Sequence, residues 1–227
     1  MKKYKALFFD FDDTLFDFKK SEKIALESVF AKYHIPLSEA NYALYDAENQ
    51  AYWRSFEKGL YKSESDSAIR FTRFCEKIGR ADIDGGEMCE AYLQVLGTTA
   101  FPIDDSPALL ARLSRNYAIY IVTNSLKRVN DARSAVGGIL PFVQERFISE
   151  SIGVSKPQKL FFDYCFSRIS YTKEQTLLIG DSLISDISGG IAYGLDTCWF
   201  NRHEKPNPEQ LPVTYEITSL AQLETFL

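Results

Sequence analysis

The chain has 227 residues, 45% of them hydrophobic, with 31 Asp and Glu against 26 Lys and Arg and a net charge of −5. That size holds one large domain or two unequal ones, and the acidic balance excludes the basic footprint of a protein that binds nucleic-acid polymers. No apolar run reaches the ~20 residues that span a bilayer, and charges interrupt the first ten positions, so neither a membrane segment nor a leader is expected and the expected location is cytoplasmic.

Residues 5 to 17, KALFFDFDDTLFD, open the pattern. Ala6, Leu7, Phe8 and Phe9 read as a strand buried on both faces, which puts Asp10 at its carboxyl end, the edge where open α/β sheets bind ligands. Alternation along an extended segment lets Asp10 and Asp12 face one side. With Asp13 and Asp17 beside them, such carboxylates repel unless a positive charge lies between, and a hard divalent cation is the natural candidate. Taken alone, the run also has the composition of a turn.

From about residue 17 to 99 the apolar residues keep helical spacing, and breaks at His34-Ile35-Pro36, near Gly59, near Gly79 and at Gly85-Gly86 predict four helices. From Phe101 the pattern alternates. Strands are predicted at 118–123, 146–149, 176–180 and 197–200, with helices near 105–115, 126–137, 158–168 and 184–193. KPNPEQLP reads as a loop before a last strand, TYEIT, and a short helix. This is βαβ order, hence an α/β fold with a parallel, Rossmann-like sheet that the first strand joins. The expected organisation is a core of residues 1–16 and 100–227 with an all-helical cap of residues 17–99 inserted after strand one. Cys75, Cys89, Cys165 and Cys198 form no C-x-x-C pair and only His34 and His203 accompany them, so no zinc spacing arises and the thiols are expected to be reduced.

Later strands also end in reactive groups. AIYIVT runs into Thr123-Asn124-Ser125 at a helix start, which suits either an anion site or a plain helix cap. Lys156 precedes Pro157, placed to open the next helix. TLLIG ends in Gly180-Asp181, with Asp186 five positions beyond Asp181.

In chain order, Asp10-x-Asp12-x-Thr14, Thr123, Lys156 and Gly180-Asp181-x-x-x-x-Asp186 resemble the four motifs of the haloacid dehalogenase superfamily, with a helical cap inserted directly after the first. TLFDF, ISESIGVSKPQKLFFDY, GDSLISDISGGIAYGLDTCWFN and TSLAQLE extend the likeness over nearly the whole chain, to bacterial pyrimidine 5′-nucleotidases that clear damaged nucleotides. The likeness is weakest in the cap, and Ser125 stands where those enzymes are expected to carry glycine.

The resemblance implies a Mg²⁺-dependent phosphatase. Asp10 would be the nucleophile and Asp12 the acid and base. Asp10, Asp12, Asp181 and Asp186 would form the metal site, with the main-chain carbonyl of Asp12 as a ligand and Asp186 also positioning Lys156. Asp12, Thr14, Thr123, Asn124, Ser125 and Lys156 would surround the phosphate. It also implies a small phosphorylated substrate, a pyrimidine nucleoside monophosphate, handled by a monomer or homodimer. On the cap side, Phe18, Trp53, Phe56 and Phe71 are candidates to stack on a base, and Lys58 and Arg70 to reach its oxygens; packing within the bundle is the alternative for each aromatic. A sugar-phosphate or phosphoglycolate phosphatase, or a phosphomutase, would share the same catalytic groups. A dehalogenase needs neither cation nor acid, so Asp12 and Asp181 count against it, and a non-catalytic protein has no reason to keep all these groups together.

Overall fold

The structure, a computed structural model, describes residues 3–58, 60–61 and 64–227. Six strands form one parallel sheet in the order β3-β2-β1-β4-β5-β6: β1 (Ala6–Phe9), β2 (Ala118–Thr123), β3 (Glu145–Ile148), β4 (Thr176–Gly180), β5 (Asp196–Phe200) and β6 (Tyr215–Ile217). All four side chains of β1 are buried, as its unbroken apolar run requires of a central strand covered on both faces. Phe9 pairs with Ile121 on one side and Ile179 on the other, so β1, β2 and β4 present their carboxyl ends at one level.

Helices cover both faces. On one, Leu7, Phe9, Ile121 and Ile179 pack with Leu109 and Leu113 of α5 (Ser106–Leu113) and with Leu220 and Leu223 of a closing 3₁₀ turn. On the other, Phe8, Val122 and Leu178 meet Phe161, Phe162 and Cys165 of α8 (Lys159–Arg168). Burying one such aromatic contributes about 1.5–3 kcal/mol. The four cysteines are free and buried.

Between β1 and α5 the described residues make four α-helices: α1 (Phe18–Lys32), α2 (Glu39–Glu57), α3 (Ala68–Lys77) and α4 (Gly85–Gly97). Phe30, Phe71, Phe74, Met88 and Tyr92 form their shared core, and Val129 of α6 (Lys127–Val136) and Leu126 just before it pack into it. That continuity seats the helical insertion over the β2 end of the sheet. No described helix is long and apolar enough to cross a membrane.

Four local expectations are corrected. Gly85-Gly86 is not a break: Asp84 caps the Gly86 and Glu87 amides, and Gly85 opens α4 because a Cβ there would lie 2.3 Å from Thr72 Oγ1 of α3. β3 ends one residue early, since Ser149 begins a four-residue helix, α7 (Ser149–Ile152). Residues 184–193 are not one α-helix but a π-type turn, Leu183–Ser188, followed by α9 (Gly189–Tyr193). Pro157 lies outside a helix, since α8 starts at Lys159 after Gln158. The break expected near Gly59 falls outside the described residues.

Candidate active site

Of the four clustered aspartates, two bond the backbone, and one of these, Asp13, also lines the cavity that Asp10 and Asp12 face. Asp17 caps α1 by accepting from Lys20 N at 2.9 Å, and Asp13, held at φ +59°, accepts from Phe18 N at 3.0 Å. Together they fix the chain's exit into the helical insertion. Asp10 and Asp12 line a cavity of about 280 Å³ between the strand ends and the helices.

Lys156 organises the floor. It is 1% exposed, and its Nζ donates to Asp10 Oδ1 at 2.8 Å, Asp186 Oδ1 at 2.6 Å and the Val122 carbonyl at 2.7 Å, which satisfies all three ammonium protons. Burial pulls the ammonium down, but Asp10 and Asp186 outweigh it and hold Lys156 above its ordinary value. Its backbone is clamped by Asn124, whose Oδ1 accepts from Lys156 N and whose Nδ2 donates to Lys156 O, both at 2.9 Å. Asn124, expected at the phosphate, thus spends its side chain on placing Lys156.

Asp186 is fully buried, with Oδ1 on Lys156 and Oδ2 accepting from Ser182 N at 3.1 Å. Its proximity explains Gly180, where a Cβ would sit 2.3 Å from Asp186 Oδ2. Asp10, Asp181 and Asp186 bring carboxylate oxygens within 4.8 Å of one another. Burial, then the charges of Asp10, Asp186 and Asp13, push Asp181 well above the usual carboxylate range. An all-oxygen, mutually repelling donor set fits a hard divalent cation. Each oxygen of Asp186 already accepts a hydrogen bond, whereas Asp10 keeps one oxygen off Lys156, so Asp10 and Asp181 could offer oxygens to such an ion.

Asp12 pairs with the buried guanidinium of Arg133. Removal from water raises its carboxyl and Arg133 opposes that, leaving it pushed up to about 6. Thr123, at the end of β2, and Ser125 line the same cavity. Ser125 N donates to Ser149 Oγ at 3.1 Å, so that amide is committed to the protein. Neither Asn124 nor Ser125 caps α6; Glu150 of α7 does so across the gap, accepting from Lys127 N at 2.7 Å. Thr14 is fully buried and not among the lining residues, because the loop folds back with the Leu15 and Phe16 amides on Phe11 O.

On the helical side, Phe18, Trp53 and Arg70 line the cavity, joined by Tyr92, Leu93 and Leu96 of α4. Arg70 is 2% exposed; Nη1 donates to Asn49 Oδ1 at 2.7 Å, Asn49 is held by Glu22 at 2.8 Å, and Arg70 Nε is buried without a partner. The other three candidates lie elsewhere. Phe71 is fully buried between Tyr45 and Tyr92, with ring centroids 5.1 Å from each, and belongs to the bundle core. Phe56 packs on Tyr52 and Trp53 and borders a different groove, and Lys58 is exposed at the end of α2. Sequence reasoning missed Tyr92 and Leu96, which have only the helical spacing of an apolar stripe, Leu93, and Arg133, which carries no motif.

Comparison with known proteins gives the family. Residues 4–194 match the family described as haloacid dehalogenase-like hydrolase. The chain is 39% identical to the HAD-hydrolase YfnB of Bacillus subtilis, over 98% of this chain and 95% of that protein. It is 33% identical to the pyrimidine 5′-nucleotidase PynA of Streptococcus pneumoniae, over 97% and 93%. The pyrimidine 5′-nucleotidase YjjG of Escherichia coli is 30% identical, over 99% and 98%. The crystal structure of YfnB bound to magnesium superposes with a TM-score of 0.92 at 37% identity, covering 99% of this chain and 98% of that one. The chain belongs to the haloacid dehalogenase-like hydrolase family and is a phosphoric monoester hydrolase.

Proposed function

We propose that the protein hydrolyses pyrimidine nucleoside 5′-monophosphates with Mg²⁺, through a phosphoryl group carried on Asp10. The observation that supports the chemistry most is Lys156 holding Asp10 Oδ1 at 2.8 Å, which leaves the other carboxylate oxygen to attack phosphorus. As the ester bond breaks, Asp12 gives its proton to the departing 5′ oxygen. It then takes a proton from the water that attacks phosphorus and releases phosphate from Asp10. Thr123 as a donor, and Lys156 through its charge while its protons stay on Asp10, Asp186 and the Val122 carbonyl, stabilise the equatorial oxygens; a well-placed donor is worth about 3–4 kcal/mol. Asp10, Asp181 and the Asp12 carbonyl would hold Mg²⁺, with Asp186 orienting Lys156; bound there, the ion offsets the charge between a dianionic phosphate and the carboxylates.

The donor set makes the cation testable. EDTA treatment should remove activity, and Mg²⁺ or Mn²⁺ should restore it. Asp181→Ala should raise the Mg²⁺ concentration for half-maximal rate at least ~10-fold while changing KM less. Full turnover in excess chelator contradicts the metal assignment.

The pyrimidine reading rests on the helical wall and on PynA and YjjG. Residues 17–99 would form the unit that closes over the leaving group. Trp53 and Phe18 offer ring faces, and Arg70 offers an unpaired buried donor suited to a carbonyl oxygen. Phosphate release measured across nucleoside monophosphates, hexose phosphates and phosphoglycolate tests it. A pyrimidine nucleotide such as dUMP or dTMP should have the highest kcat/KM. A hexose phosphate or phosphoglycolate ahead of every pyrimidine nucleotide overturns the substrate and leaves the phosphatase standing.

A further inference from the structure

Arg133 is a guanidinium at 1% exposure in the last turn of α6, and its three nitrogens reach three separate segments. Nη1 donates to Asp12 Oδ1 in the loop after β1; Nε donates to the Thr99 carbonyl at 3.0 Å, just past α4; Nη2 lies 3.5 Å from Ser21 Oγ in the first turn of α1. Ser21 Oγ in turn donates to Asp17 O at 3.2 Å. The guanidinium stands over the rings of Phe11 at 5.2 Å and Phe18 at 5.5 Å. Arg133 therefore touches both places where the chain crosses between the sheet and the helical insertion. Its ion pair is with the carboxylate that faces the leaving group.

We propose that Arg133 is a positioning residue: it fixes one oxygen of Asp12 so that the other is aimed at the leaving oxygen, and later at the attacking water, and it ties that aim to the seated helical insertion. The chemistry of the side chain fits this task. A planar fork with five donors bonds three segments at once, whereas a lysine at this site could keep the pair with Asp12 but not the whole geometry. Asp12 Oδ1 stays an acceptor throughout, and the transferable proton travels on Oδ2. A purely structural weld would hold the same segments without distinguishing one leaving group from another.

The proposal rests on Asp12 being the acid and base, so the test separates the steps. Under single turnover with excess Mg²⁺-loaded enzyme, thymidine release from dTMP requires a proton on the leaving oxygen. Release of p-nitrophenolate from p-nitrophenyl phosphate does not. Arg133→Met should slow thymidine release by ~10²-fold or more, the scale of general acid catalysis, and p-nitrophenolate release by less than ~5-fold. The later phosphate release from either ester should slow together, because that step needs Asp12 as base. Arg133→Lys should fall between, and it carries the comparison if the methionine variant does not fold by circular dichroism. Equal slowing of thymidine and p-nitrophenolate release, or no slowing of thymidine release, overturns the proposal. Failure of the phosphatase reading would show differently, as no phosphate released from either ester by the unsubstituted enzyme.

Discussion

Asp10→Asn lowers turnover of every phosphate monoester by roughly 10⁴-fold or more, since loss of a covalent nucleophile leaves only binding and electrostatics. The fold survives, because an asparagine oxygen can still accept from Lys156 where Asp10 Oδ1 now does, and Lys156 keeps Asp186 and the Val122 carbonyl. Single-turnover phosphate release and a thermal melt check the two halves. A variant that melts normally and retains most of its activity would show that another group attacks.

Lys156→Met should be the most damaging change in the molecule. It leaves Asp10 and Asp186 facing one another in a site where Asp186 has no solvent exposure, and breaking a buried pair by removing one partner costs about 3–5 kcal/mol. For a chain of this size that is a fall in Tm on the order of 10 °C for the metal-free protein. Because Lys156 also lines the cavity proposed to take the phosphate, kcat should drop by a further ~10²–10³-fold even where the variant is folded. Calorimetry without metal and assays with Mg²⁺ read the two effects apart. An unchanged Tm would mean that the Asp10–Lys156–Asp186 cluster does not hold the strand ends together.

The sheet was legible because its central strands are short, largely apolar and separated by helical spacing; AIYIVT and TLLIG fall on β2 and β4 residue for residue. The floor of the site was legible for the same reason. A charge after a run such as ALFF has one place to go, the strand end, and parallel order brings Asp10, Thr123 and Asp181 to a common edge. The walls were not. Trp53 and Phe71 both lie on helical stripes, and only tertiary packing decides that Trp53 lines the cavity while Phe71 is enclosed by Tyr45 and Tyr92. Asn124 and Ser125 have the composition of a helix cap, yet Glu150, 23 residues from Lys127, supplies the cap. Arg133 gave no signal because its meaning comes from Asp12, 121 positions away. Thr14 follows the motif spacing, but the tight return of the loop onto Phe11 O turns it inward.

The account stands or falls on covalent attachment to Asp10. Asp12→Asn removes the base for the second step, and p-nitrophenyl phosphate removes the need for an acid in the first, so with Mg²⁺ the phosphoryl group should accumulate. Acid quenching followed by mass spectrometry of the peptide spanning residues 6–19 should find one phosphoryl group on Asp10 at near-stoichiometric yield, and none in the Asp10→Asn, Asp12→Asn double variant. Release of p-nitrophenolate with Asp10 unmodified at every quench time, or the phosphoryl group on any other residue, would contradict it.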